Sequence, residues 1–238
     1  MARQRLQEEA VESNRVKMLQ QDVNCIFAPR RRHFIIGAGT GGLAVVLARE
    51  YGCWVGGVEP DRRQLSIIRQ KCRAAAINPA NFKPEHGERL SATDNQFDFV
   101  HCFAVLEHVR HVGQCIDEMI RVLKPGGFIF INTPNYNYPY EGHYKVLAPT
   151  FLPKITTFIW LVLLGRNINL LSDINFLTLL KIDRLLLRKN VSWHRLYHSH
   201  AGLFPERTIR GAIVQFFLQQ LTSKTGIHPQ QEIIVRKL

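Results

Sequence analysis

The chain has 238 residues, 46% of them hydrophobic and 21% charged, which suffices for one folded core and excludes both a disordered tail and a small scaffold dependent on disulfide staples. Lysine and arginine number 31 against 19 acids, a formal net charge of +12, so the surface attracts acidic partners: anionic headgroups, phosphorylated or carboxylated small molecules, or nucleic acid. The basic residues are scattered apart from Arg30, Arg31 and Arg32, and no RNP-like or Cys/His finger pattern accompanies them, which favours a solvated basic face over a nucleic-acid patch.

The first 22 residues carry Leu6, Ala10, Val11, Met18 and Leu19 among charges, predicting an amphipathic helix without the apolar centre of a signal peptide. Five cysteines, Cys25, Cys53, Cys72, Cys102 and Cys115, form no C-x-x-C pair. They read as reduced thiols, and the expected compartment is the cytosol.

From residue 33 short apolar runs alternate with helical stretches. HFII (33–36), CWVGGVE (53–59), FDFVHCF (97–103) and GFIFIN (127–132) predict strands, while 42–50, 62–76 and 113–123 have apolar residues at helical spacing. Buried strands alternating with helices make a mostly parallel, doubly wound, Rossmann-like α/β sheet covered on both faces.

In HFIIGAGTGGLAVVLA (33–48) a strand enters a glycine turn and then a helix, with Gly37, Gly39 and Gly42 at G-x-G-x-x-G spacing. Glycine permits the sharp turn and the close approach of a ligand, and the N-terminus of the following helix favours an anionic group. Glu59 closes the second strand in VGGVEPD, where a carboxylate can accept hydrogen bonds from both hydroxyls of a ribose; its other reading is a helix-capping acid beside Pro60 and Asp61. Glycine loop and acid together suit NAD and S-adenosylmethionine equally.

FDFVHCFAVLEHV (97–109) followed by EMIRVLKPGGFIFINTPN (118–135) resembles the fourth and fifth strand segments of class I S-adenosylmethionine-dependent methyltransferases, of the type 11/12 kind, and the resemblance covers residues 33 to 135. It implies S-adenosyl-L-methionine as cofactor, with Gly37, Ala38, Gly39 and Gly41 against its methionine part and Glu59 on its ribose. Cys102 and Phe103 would line the cleft near the sulfonium. His86, with Glu88 two residues on, falls where family members carry an acid for the adenine amino group, and Glu88 also reads as a helix-start acid. Cys102 by itself reads as a small buried hydrophobe.

Beyond strand five, NYNYPYEGHYKV (135–146) lies where open α/β sheets place ligand loops. His143 is the candidate general base there, with Tyr140, Glu141 and Tyr144 as acceptor contacts; the competing reading is a loop pinned by aromatic packing. His108, in LEHV, is a second catalytic candidate, or else a polar support for its loop. No metal site is expected. EGHY with PxxLPK (149–154) and GRN (165–167) resembles methyltransferases that act on glycan, lipid-linked or quinone-like small substrates.

Phe158 to Leu164 (FIWLVLL) falls far short of the ~20 residues of a spanning helix. Residues 146–188 are expected to form a helical cover over the cleft, with Lys154, Arg166, Lys181, Arg184, Arg188 and Lys189 as a basic rim suited to peripheral association with an anionic membrane; the alternative is a cap that only packs on the core. A helix is expected at Leu177 to Arg188, a strand at Ser192 to Tyr197, a helix at Pro205 to Leu221 and a strand at 231–237. A single domain follows: a lead-in (1–32), a cofactor core (33–135), a helical insertion (136–190) and a C-terminal part (191–238). The expected function is O-methylation of a small-molecule, glycan or lipid-linked acceptor, against an NAD-linked oxidoreductase or a non-catalytic module docking on a membrane or partner.

Overall fold

A computed structural model describes residues 2–23, 28–196 and 228–238. Strands β1 (Arg32–Ile36), β2 (Trp54–Val58), β3 (Phe82–Lys83), β4 (Phe97–Phe103) and β5 (Leu123–Pro134) run parallel. β9 (Gln230–Lys237) joins β5 antiparallel and β8 (Val191–Leu196) joins β9 antiparallel, giving the order β3-β2-β1-β4-β5-β9-β8. Helices α2 (Gly42–Tyr51), α3 (Arg62–Ala74) and α4 (Val112–Val122) connect the parallel strands.

Strand alternation sends successive side chains to opposite faces, and both faces are dry. Ile36, Val58, Val100, Cys102 and Ile131 pack with Cys115, Ile116 and Met119 of α4 and with Ile182 and Leu186 of α6 (Leu179–Leu186). Their strand neighbours Ile35, Val55, Phe99 and Phe130 pack on the other side with Leu47, Ile68 and Val16. Val16 and Leu19 form the buried stripe of α1 (Ala2–Val23), whereas Val11, expected on that stripe, is 58% exposed. The Ser13 hydroxyl donates to Glu50 of α2 at 2.8 Å, so the buried stripe runs through residues 13, 16 and 19 and leaves Val11 outside it.

Two histidines lie inside the sheet. His33 Nδ1 and His101 Nε2 are 2.9 Å apart on neighbouring strands, and burial pushes His33 down to about 3 and His101 well below the usual imidazole range, so both are neutral. The Lys124-Pro125-Gly126-Gly127 turn is a bulge within β5. Leu123 pairs with Phe97 before it, and pairing resumes two residues along β4 at Phe99 and Phe128.

The predicted strands and helices between 33 and 132 are present, with β3 added. The insertion is less helical than expected, because β6 (Tyr140–Glu141) and β7 (Val146–Leu147) form a hairpin ahead of α5 (Lys154–Leu163). The helix expected at Pro205 to Leu221 and Cys25 lie outside the described residues. Cys53, Cys72, Cys102 and Cys115 are free thiols, and burial raises Cys53 and Cys72 to about 11. Among the described residues no helix is long and apolar enough to cross a membrane.

Candidate active site

The carboxyl ends of β1 and β4 lie where the strand order reverses, and connections from these strands diverge to opposite faces there, leaving a crevice. A cavity of about 480 Å³ fills it, walled by the glycine loop, Glu59 and Gln64, the 85–88 segment, and Phe103 to Val105 with His108. That size suits a nucleoside-bearing ligand.

The loop has no room for a side chain at Gly37. Gly37 has φ +63° and a Cβ there would stand 2.4 Å from Cγ2 of Val105; Gly39 has φ +57°. Glu59, 6% exposed, sits across from it with Oε2 accepting from the Gly39 N–H at 2.8 Å and Oε1 from the Asp61 N–H at 2.9 Å. The carboxylate therefore ties the end of β2 to the glycine turn, and Asp61 caps α3 instead.

Helix α1 covers this loop. Glu8 accepts from the hydroxyl of Thr40, and from Lys71 Nζ at 2.7 Å. Burial alone would raise the Glu8 pKa, but these donors and the Gly42 backbone N–H hold it below the usual carboxylate value. The start of α2 is thus met by a carboxylate of the chain itself. Arg15 lies 4.8 Å over the Phe103 ring at the cavity wall.

On the other side of the crevice a row of polar side chains runs inward from the hairpin. Glu141 is fully buried and accepts from His143 Nδ1 at 2.8 Å, from the Tyr144 N–H at 2.7 Å and from the Tyr136 hydroxyl at 3.3 Å. His143 Nε2 is 3.3 Å from Nε2 of His108, which lines the cavity. The bond from Glu141 raises the His143 pKa above the ordinary imidazole value, while burial lowers that of His108. A carboxylate only accepts, so His143 carries its proton on Nδ1; in the neutral ring Nε2 then accepts from His108 Nε2–H, leaving Nδ1 as the acceptor of His108. His108 stands on a braced turn: Glu107 accepts from the Thr133 hydroxyl at 2.9 Å, and Asn175 donates to the carbonyls of Glu107, Leu106 and Val109.

Residues 35–131 match the family model described as a methyltransferase domain. The stretch that carries the glycine loop, Glu59 and His108 is thus similar to methyltransferase domains. Over 102 residues the chain is 30% identical to the ubiquinone biosynthesis O-methyltransferase of Serratia proteamaculans (strain 568), covering 43% of this chain and 42% of that one. Over 155 residues it is 27% identical to the ubiquinone/menaquinone biosynthesis C-methyltransferase of Zymomonas mobilis, covering 63% of each. It spans about half the length of the curated relatives it matches first. An S-adenosylmethionine-dependent methyltransferase from Mesorhizobium loti shares the fold, with a TM-score of 0.63 at 13% identity over 90% of this chain and 94% of that one.

Of the residues the sequence nominates, Gly37, Gly39, Glu59, His86, Glu88, Phe103 and His108 line the cavity. Glu88 also accepts from the Arg110 and His111 N–H groups at the start of α4, so it serves as the helix-start acid. Three nominated cofactor contacts are not on the wall. Ala38 and Gly41 build the turn itself, their N–H groups bonded to the carbonyls of Val58 and Ala38. Cys102 is fully buried beside Cys115, because strand alternation turns it into the α4 face of the core; bonding to Cys115 and burial raise its pKa well above the usual thiol value. Glu141 was expected to touch the acceptor, but burial behind His143 makes it a support for that ring; the Tyr140 backbone pairs with Leu147 in the hairpin and its side chain is half-buried. The sequence reading missed Val105, which walls the glycine loop, and Asn175, whose position 66 residues beyond Val109 leaves no local signal.

Proposed function

We propose that this protein is an S-adenosylmethionine-dependent methyltransferase that transfers a methyl group to an oxygen of a small-molecule, glycan or lipid-linked acceptor, with His108, backed by His143 and Glu141, taking the hydroxyl proton. The observation that supports this reading is the buried carboxylate and two imidazoles in series, ending on the cavity wall. S-adenosylmethionine fits the cavity: the turn is too tight for a Cβ at Gly37, and the Glu59 carboxylate faces it at the end of β2. When bound it supplies a methyl group already activated on a sulfonium.

Glu59 would hold the ribose hydroxyls, and Gly37 and Gly39 would let the ligand lie against the backbone. His108 Nδ1 accepts the proton of the acceptor hydroxyl and hands its Nε2 proton to Nε2 of His143. The resulting His143 imidazolium is held by Glu141. The proton thus ends on His143, and the acceptor oxygen is left free to take the methyl group that bound S-adenosylmethionine would supply. Such transfer depends chiefly on positioning, which the braced 105–109 turn supplies. The relatives' names, in quinone biosynthesis and including both an O- and a C-methyltransferase, support a hydroxylated or quinone-like acceptor, and the histidine pair favours the oxygen.

The test is transfer of labelled methyl from S-adenosylmethionine to phenol, catechol and glycoside acceptors, with the product bond assigned by mass fragmentation. An ether product lost in His108→Ala supports the reading, and a carbon-methylated product at full rate in that variant overturns it.

A further inference from the structure

Helix α5 and its flanking turns present an apolar surface that the catalytic reading leaves unused. α5 touches the body through Thr157 and Leu161, both fully buried and one turn apart. The rest of the helix faces outward: Ile155 is 59% exposed, Ile159 52% and Leu163 75%. Phe151 and Leu152 before it and Leu164 after it are also exposed. Soluble surfaces scatter such residues singly, and a contiguous patch marks an interface.

Within the segment that carries the patch, between Glu141 and Asp173, the charge has one sign. From Gly142 to Ser172 the sequence contains no aspartate or glutamate, while Lys145, Lys154 and Arg166 fall within it. Arg166 shares an open cavity of about 430 Å³ with Val146, Leu147, Trp160 and Leu164, where an anionic group would meet a guanidinium set among apolar walls. Trp160 is 42% exposed and its indole N–H is bonded to the Leu147 carbonyl, so its ring is held at the surface in the amphipathic manner suited to a membrane boundary. A second copy on this face would set these cations against their equivalents, and ten helical residues cannot span a bilayer.

We propose that α5 and its flanking turns lie in the interface of an anionic lipid bilayer, the outward face of α5 among the acyl chains and Arg166 with Lys145 on lipid phosphates. The hairpin that carries Glu141 and His143 ends in Val146 and Leu147 on the wall of the Arg166 cavity, so docking here sets the catalytic loop beside the membrane.

Flotation of the full chain with phosphatidylcholine vesicles, with and without phosphatidylglycerol, tests this. The chain should float with the anionic vesicles at low salt and stay behind with the neutral ones. The double variant Ile159→Ser/Leu163→Ser, both at exposed sites, should bind at least about tenfold more weakly. Arg166→Ala and Lys145→Ala should each weaken binding about fivefold. Recovery of the parent in the soluble fraction with anionic vesicles at low salt overturns the proposal, as does unchanged flotation of the variants. A dimer in solution that the apolar double variant dissociates would assign the face to a second copy and overturn it equally.

Discussion

Nε2 of His143 stands 3.3 Å from Nε2 of His108, so one proton serves two rings. Because Glu141 fixes the other nitrogen of His143, that shared proton belongs to His108 while His143 is neutral and to His143 once it is charged. The pair can therefore move a proton away from the cavity without any side chain moving.

The His143 pKa is raised by its bond to Glu141, so its charged form is favoured in the folded protein. The stability this contributes is fully present below the ordinary imidazole value of about 6.5 and is lost as pH rises through the higher folded value. Ring-carbon NMR titration, with the signal assigned by its loss in His143→Ala, should place His143 above 6.5. Glu141→Gln should lower that value, and no change would mean that the carboxylate does not act on the ring. Methyl transfer should rise with pH across the same range, because only neutral His143 can receive the proton.

His108→Ala and His143→Ala should each retain cofactor affinity within a few fold and slow methyl transfer by about 10²–10⁴ at neutral pH, with part of the rate recovered at high pH as the acceptor ionises unaided. If His143→Ala keeps full activity at every pH while His108→Ala does not, the proton leaves His108 by another route.

Glu59→Ala should weaken S-adenosylmethionine binding by about 1–3 kcal/mol, through loss of the ribose acceptor and of the Oε2 bond that positions the Gly39 N–H. Calorimetry on the folded variant measures it. Unchanged affinity would leave the carboxylate as a brace for the turn and nothing more.

Asn175→Ala removes the amide that donates to Val109 O at 2.6 Å and to Leu106 O at 3.4 Å, and should cost about 1–3 kcal/mol in chemical denaturation. Because these bonds brace the turn beneath His108, the rate should fall further than cofactor affinity does.

The glycine-loop wall of the cavity was legible because its signals are local. A strand, four glycines and a helix start lie within sixteen residues, and Glu59 follows at the end of the next strand. The proton relay was only half legible. His143 and His108 both stood out, but their order from the cavity depends on how the β6–β7 hairpin folds back across 35 residues. Cys102 was misplaced because the motif gives the end of a strand, while the face of that residue depends on the pairing phase of the whole sheet. Asn175 carries no motif, since its partners are the backbone carbonyls of a distant turn.

Calorimetric titration of the full chain with S-adenosylmethionine and with NAD, repeated on Gly37→Ala, tests the central claim most directly. The parent should bind one S-adenosylmethionine and no NAD, and Gly37→Ala should bind neither, because its methyl would stand 2.4 Å from the Val105 side chain at a φ that alanine disfavours. NAD binding by the parent, or undiminished S-adenosylmethionine binding by the folded variant, would contradict the account.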